Sequence, residues 1–241
     1  MKEQLPLAVR LRAASTFENF AVGDNGALLS ALRAGATRAG QPPLWVWAGP
    51  GMGRSHLLQA TCHQATRAGR RAGYLPLAES GLQPEMLVGL EALDVVCVDD
   101  IHTVLGQPAW EQGLFRLYND VLEQGHQLVI AACAAPAHVP IALPDLASRL
   151  AACLIWQVKP LNELAQGQAL SARARVLGIE WSEDTLQYVQ RRLPRDMRVL
   201  FKALDQLDAA ALSHQRKLTV PFVKSVLETW VDSSADKRSR S

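Results

Sequence analysis

The chain has 241 residues, of which 49% are hydrophobic and 20% are charged. This composition is typical of a globular protein with a sizeable core and excludes a largely disordered chain. The formal net charge is only +2, which argues against a protein that wraps nucleic acid by bulk charge. The length predicts one domain with a substantial appendage, or two small domains.

The sequence predicts neither a secretory signal nor a membrane span. The first residues lack the continuous apolar core of a secretory signal. The longest charge-free stretch, 124–144, is interrupted by Pro136 and Pro140, so it does not predict a membrane span. The cysteines have no C-x-x-C spacing, which predicts reduced, buried side chains in a cytoplasmic protein. They are Cys62, Cys97, Cys133 and Cys153.

Apolar runs alternate with helix-like segments over the first two thirds of the chain. The predicted helices span 24–40, 55–68, 84–93, 107–123 and 145–152. The predicted strands span 44–48, 73–77, 95–98, 128–133 and 154–158. Strands that alternate with helices in this way predict an α/β fold, a parallel sheet flanked by helices on both faces.

The pattern becomes wholly helical after Lys159 and Pro160. Four further helices are predicted, at 162–177, 183–192, 195–214 and 221–230. We therefore expect an α/β domain over residues 16–159 and a small all-helical domain over 160–230. The polar ends, 1–15 and 231–241, are predicted to be a flexible tail and a disordered tail.

A glycine-rich segment joins the first predicted strand to the next helix. Its glycines are Gly49, Gly51 and Gly53. A strand, a loop of this kind and a helix form the setting of a phosphate-binding loop (P-loop), because backbone N–H groups and the helix N-terminus then face the phosphate oxygens. Ser55 would ligate Mg²⁺ through its hydroxyl. The loop departs from G-x-x-x-x-G-K-[ST], since Ala48 replaces the first glycine and Arg54 replaces the lysine.

Two carboxylates follow the third predicted strand. Asp99 and Asp100 lie at the strand's C-terminal end, which is where ligands bind in parallel sheets. Asp99 would hold Mg²⁺ and Asp100 would polarise the attacking water. A simple helix-capping turn is the alternative for this pair if the glycine-rich loop binds no phosphate.

Arg54 is the only basic residue in the glycine-rich loop. Only six of the 25 basic residues are lysines, and none of the six lies between Glu3 and Val158. Arginine is planar and bidentate, whereas lysine is a compact point charge, so the exchange is not conservative. We expect nucleotide binding to survive, and hydrolysis or the preference for a triphosphate to change.

These motifs resemble the AAA+ module of the DnaA family of bacterial replication initiators, and more closely the shortened Hda branch of that family. The similarity runs from Gln4 to about Trp230. The similar stretches are 16–20 with 23–25, 53–58, 143–150, 197–198 and 216–224. The resemblance implies an AAA+ P-loop domain that binds ADP or ATP with Mg²⁺, followed by a helical lid. It also adds His56, inside the similar stretch 53–58, to the expected nucleotide contacts.

The resemblance assigns three further roles. Arg149 occupies the position of the family's arginine finger, and Arg198 that of sensor 2, a lid arginine that contacts nucleotide phosphates. The clamp-binding residues would be Gln4, Leu5 and Leu7, which resemble the motif that docks Hda on the DNA polymerase III sliding clamp. Position alone predicts a solvated or salt-bridged helix arginine at Arg149. The tetrapeptide QLPL, taken alone, would be a chance match more often than not.

One position departs from the family. Cys133 stands where a polar sensor 1 residue is expected, at the end of the fourth predicted strand. A thiol is a weak hydrogen-bonding group. Together with Arg54, this predicts a site that holds nucleotide well and has weak or no ATPase activity of its own.

The resemblance implies a regulatory adaptor in the cytoplasm, acting as an inhibitor of DNA replication. It would bind the DNA-loaded clamp, contact DNA through the clamp, and supply Arg149 to the ATP site of DnaA. DnaA-ADP, the product, is inactive, so over-initiation is prevented. A homodimer is left open. One alternative is an AAA+ ATPase of helicase-loader or transposition-helper type, which predicts a lysine at 54 and a polar residue at 133. The other is a small-molecule kinase, which the four-helix lid disfavours.

Overall fold

The computed structural model describes residues 11, 15–194, 196–214 and 218–228. The chain divides into two compact units, Met1–Pro160 and Leu161–Ser241. The predicted clamp-binding residues Gln4, Leu5 and Leu7 lie outside the described residues. So do the predicted tail 231–241 and most of the predicted tail 1–15.

The first unit is built on a five-stranded sheet in which all pairings are parallel. The strands are β1 (Leu44–Trp47), β2 (Ala72–Pro76), β3 (Val95–Asp99), β4 (Gln127–Ala132) and β5 (Leu154–Gln157). Their order is β2-β3-β4-β1-β5. The C-terminal ends of β3 and β1 therefore lie on either side of the end of β4.

Helices cover both faces of the sheet. They are α1 (Gly26–Thr37), α2 (Arg54–Arg67), α3 (Pro108–Glu123) and α4 (Pro144–Ala151). Side chains of β3 alternate between two cores: Val95 and Cys97 pack with α1 and α2, whereas Val96 and Val98 pack with α3 and α4. Burial on both faces is the property expected of parallel strands. The predicted α/β fold is confirmed.

Two sequence predictions are wrong in this unit. The helix predicted at 84–93 is two 3₁₀ turns, Pro84–Leu87 and Leu90–Ala92. Gly89 separates them with a φ of +92°, a value that an α-helix cannot contain. Cys133 is exposed, although the other three cysteines are buried. Strand β4 ends at Ala132, so Cys133 falls outside the sheet.

The described part of the second unit is helical, apart from an isolated β-bridge between Trp181 and Leu218. Its helices are α5 (Glu163–Val176), α6 (Glu183–Arg192), α7 (Met197–His214) and α8 (220–228). Asn162 and Ser182 cap α5 and α6 by accepting hydrogen bonds from backbone N–H groups three residues on, as preferred N-cap residues do. The apolar core of this unit includes Leu170, Val189 and Leu200. The predicted helical lid is thus confirmed, and the remaining predicted elements occur with ends shifted by a few residues at most.

A membrane-spanning helix needs about 20 consecutive, mainly apolar residues. Within the described part of the chain, no helix combines sufficient length with sufficient apolar character to span a membrane.

Candidate nucleotide-binding site

The glycine-rich loop connects β1 to α2, as predicted, and two of its glycines have left-handed backbone conformations. Gly51 has a φ of +79° and Gly53 a φ of +91°. A Cβ atom on Gly53 would lie 2.7 Å from Cε2 of Phe20, closer than carbon atoms approach without displacement. Gly53 is therefore required both by its backbone angle and by the aromatic ring beside it.

The segment before α1 lies against the start of α2. The rings of Phe20 and His56 have centroids 5.6 Å apart, and Nε2 of His56 lies 2.7 Å from the carbonyl oxygen of Thr16. A carbonyl oxygen only accepts, so Nε2 carries the hydrogen in this contact. Burial lowers the pKa of His56, and the Thr16 contact opposes that shift only in part. His56, a predicted nucleotide contact, is thus held by the protein's own backbone.

Asp99 is almost fully buried at the end of β3, with 1% of its surface exposed. The hydroxyl of Tyr74 donates to Oδ2 of Asp99 at 2.7 Å, and the backbone N–H of Asp100 donates to Oδ1 at 2.9 Å. Burial, and then the charge of Asp99, raise the pKa of Tyr74, so the phenol stays protonated and remains a donor. The buried carboxylate is therefore satisfied by two neutral donors.

Tyr74 also lies near both predicted Mg²⁺ ligands. Its hydroxyl donates to Asp99, and burial dominates its pKa, with the side chains of Gln59 and Ser55 opposing that shift. Ser55 of α2 and Asp99 of β3 therefore lie close to the same phenol. The described residues contain no group of three or more His, Cys, Asp or Glu side chains that could hold a metal ion. The oxygen donors of Ser55 and Asp99 nevertheless fit Mg²⁺, because this ion is bound by one or two protein oxygens together with substrate phosphates and water.

Arg54 and Asp100 form an ion pair across the site. Nη2 of Arg54 donates to Oδ1 of Asp100 at 2.8 Å, and the two side chains are 11% and 23% exposed. Nη1 of Arg54 donates to the carbonyl oxygen of Ala48 at 2.7 Å. Burial and the neighbouring Asp99 raise the pKa of Asp100, and Arg54 and His102 oppose this shift. The basic residue of the loop thus already contacts the carboxylate that was predicted to polarise water.

The other predicted site residues lie elsewhere. Arg149 is exposed on α4, and no acidic side chain of the described chain forms a salt bridge with it. Arg198, in the second unit, donates from Nη2 to Oδ2 of Asp196 at 3.0 Å. Cys133 follows β4. The structure brings together Arg54, Ser55, Asp99 and Asp100 in the first unit.

Sequence analysis missed Tyr74, whose hydroxyl donates to the buried Asp99. Its only local signal is a phenol inside an otherwise apolar strand, where a buried hydroxyl needs a partner. It also missed Phe20 as the ring that covers Gly53.

A parallel five-stranded sheet with this loop after β1, an acidic pair at the C-terminal end of β3 and a separate helical unit is the arrangement of an AAA+ type of P-loop protein. The sequence model described as "Bacterial DnaA ATPase domain" matches residues 84–158, and the one described as "Hda, lid domain" matches residues 163–227. Over these two stretches the chain is similar to the DnaA ATPase domain and to the Hda lid domain.

Solved structures share the fold. Domain III of DnaA from Thermotoga maritima has a TM-score of 0.80 and 22% identity, covering 91% of this chain and 98% of that one. AMPPCP-bound DnaA from Aquifex aeolicus has a TM-score of 0.70 and 18% identity, covering 81% and 64%. RuvB from Thermotoga maritima, a Holliday junction branch migration motor, has a TM-score of 0.66 and 15% identity, covering 84% and 67%.

The Phe20 contact makes a prediction about Gly53. Gly53→Ala should lower the free energy of unfolding by more than Gly81→Ala, measured by urea denaturation. Gly81 also has a positive φ, of +85°, but a Cβ there would meet no atom within 4 Å. The Gly81→Ala variant therefore measures only the cost of placing an alanine at a positive φ, roughly 1–2 kcal/mol in the free energy of unfolding. In a Phe20→Ala background the two losses should become equal. Equal losses with Phe20 present would contradict the steric role of the ring.

Proposed function

We propose that this protein is a regulatory adaptor that binds the DNA-loaded sliding clamp of DNA polymerase III and stimulates hydrolysis of DnaA-bound ATP. The product, DnaA-ADP, is inactive, so over-initiation of chromosome replication is prevented. The observation that carries the proposal is the match of residues 163–227 to the Hda lid domain, next to a DnaA-type ATPase domain. The adaptor would act in the bacterial cytoplasm, held at the nucleoid by the clamp.

The protein's own nucleotide, ADP or ATP with Mg²⁺, would set its conformation. The backbone of Gly49, Gly51 and Gly53 and the start of α2 would surround the phosphates. Ser55 and Asp99 would hold Mg²⁺, and the remaining contacts would come from Arg54, His56 and Arg198. Because Arg54 is paired with Asp100 at 2.8 Å, a terminal phosphate must compete with a carboxylate for its guanidinium. This competition, and a thiol at the sensor 1 position, support a weak ATPase.

The catalytic step in DnaA would use Arg149 in trans. An arginine finger stabilises negative charge that spreads over the γ-phosphoryl group in the transition state, and is worth about 10³–10⁵ in rate. Leu146 and Leu150, at 0% and 1% exposure, bury one side of α4, while Arg149 is exposed. A short helix anchored in this way presents an arginine outward, as a finger requires.

Replacement of the finger is the first test. Arg149→Ala should reduce stimulation of DnaA-ATP hydrolysis by about 10³-fold, while binding to the clamp stays unchanged. The measurement is phosphate release from DnaA-ATP with this protein, clamp and DNA. Arg67→Ala, at an exposed arginine of α2, is the matched control. Stimulation that survives Arg149→Ala would overturn the finger assignment.

The tail makes a separate prediction. Replacing Gln4, Leu5 and Leu7 together by alanine should weaken binding to immobilised clamp by at least about 30-fold, because buried anchors of a docked peptide carry most of its affinity. Thermal unfolding should be unaffected. Alanine at Lys2 and Glu3 in the same segment is the control. Binding that persists in the triple variant would place the docking element elsewhere.

The ion pair predicts an effect on nucleotide affinity. Asp100→Asn removes a negative charge beside the phosphates and frees Arg54, so ADP and ATP should bind roughly tenfold more tightly. The gain should be larger for ATP. Isothermal titration in Mg²⁺ measures both. Asp99→Asn should instead weaken the Mg²⁺-dependent part of binding. If Asp100→Asn loses affinity, the Asp100 carboxylate itself contacts the nucleotide or its metal.

A further inference from the structure

A buried glutamate at the start of α3 contacts the segment that leads into α4. Glu111 is 1% exposed. Its Oε1 accepts from the backbone N–H of Gly106 at 2.7 Å and of Ala142 at 2.9 Å, and its Oε2 accepts from that of Leu143 at 2.6 Å. One carboxylate thus connects two chain segments that are 36 residues apart in sequence, residues 106 and 142.

The three backbone donors compensate the burial of this charge. Burial is the largest influence and acts to raise the pKa of Glu111, but the N–H groups of Ala142, Gly106 and Leu143 outweigh it and lower the pKa. Within the described chain, no cationic side chain forms a salt bridge with Glu111. The charged form is held by backbone N–H groups, and hydrogen bonds to a charged acceptor are stronger than neutral ones.

The contacts are located where they can orient α4. Leu143 is the N-cap residue of that helix and provides no side-chain cap, and Pro144 occupies its first turn. Glu111 therefore binds the backbone at the point where α4 begins. Further along, Leu146 and Leu150 lie in the same apolar core as Leu114 of α3. The helix is anchored at its N-terminal end by a charge and along one side by apolar packing.

Arg149 lies on the exposed side of this anchored helix. An eight-residue helix has little packing surface of its own, so a small rotation at its start would move the long side chain of Arg149 considerably. Catalytic groups lose about a hundredfold in rate when they are misplaced by about 1 Å. The orientation of α4 is therefore a property on which a finger at Arg149 would depend.

We propose that Glu111 is a positioning residue for Arg149: its buried carboxylate holds the backbone of Ala142 and Leu143 so that α4 presents the guanidinium to the ATP site of DnaA. This inference rests on the proposed function. Glu111 does not touch the nucleotide of DnaA and acts only through the orientation of α4.

The test measures DnaA-ATP hydrolysis as a function of this protein's concentration, with clamp and DNA present. Glu111→Gln should lower the maximal stimulated rate by 10- to 100-fold and leave the half-saturating concentration within about threefold of the wild type. Glu111→Asp keeps the charge but is shorter by one methylene group, so it should recover part of the rate. In an Arg149→Ala background, Glu111→Gln should cause no additional loss, because both act through the same group.

A control with a comparable structural defect is Arg70→Ala. Arg70 donates to the carbonyl oxygens of Gly35, Ala36, Arg38 and Asp94, near the N-terminal end of β3. Its removal should lower stability and leave the maximal rate unchanged at a temperature where both variants are folded. Hydrogen exchange at residues 106, 142 and 143 should increase in Glu111→Gln alone.

The outcomes separate this inference from the proposed function. If Arg149→Ala reduces stimulation but Glu111→Gln leaves the maximal rate unchanged, the positioning role is overturned and the adaptor function stands. The role is also overturned if Arg70→Ala lowers the rate as much as Glu111→Gln does. If the wild-type protein gives no stimulation, both proposals are overturned. If the Glu111→Gln protein does not fold, the Glu111→Asp variant decides whether the positioning role holds, by the same rate and exchange measurements.

Discussion

The parallel pairing of β3, β4 and β1 is the constraint on which the candidate site depends. Because these strands run in one direction, the loops that follow them leave the same edge of the sheet. Arg54 follows β1 and Asp100 follows β3, and this alignment brings them to 2.8 Å. Apolar cores on both faces hold the strands in register, so the polar site is positioned by burial of side chains that take no part in it.

Charges at this edge are balanced locally. Arg54 compensates Asp100, and Asp99 accepts from Tyr74 and from a backbone N–H. A phosphate group would therefore bind by exchanging partners with groups that are already hydrogen-bonded. Each exchange breaks an existing contact before a new one forms. Such an arrangement suits a nucleotide that stays bound and selects a protein conformation. It is less suited to a nucleotide that is hydrolysed rapidly.

Most of the architecture could be predicted from local patterns. The runs of apolar residues predict the strands, the glycine spacing predicts the loop, and the change after residue 160 predicts the helical unit. These signals are local, because they depend on backbone preferences and periodicity. Two local predictions are wrong for physical reasons. The apolar residues over 84–93 lie in two 3₁₀ turns that Gly89 separates, and not in one helix. Cys133 is exposed because β4 ends at the residue before it.

By itself, the sequence determined the fold class, the family resemblance, and the residue types present at the phosphate loop and the acidic strand end. Only the tertiary structure decided which of those side chains become partners. Three contacts join segments that are distant in sequence: the pairing of Arg54 with Asp100, the hydrogen bond from Tyr74 to Asp99, and the contact of Glu111 with the start of α4. A buried charge or hydroxyl must find a partner, but nothing in the local sequence states which one, because that choice is made by how the strands and helices pack.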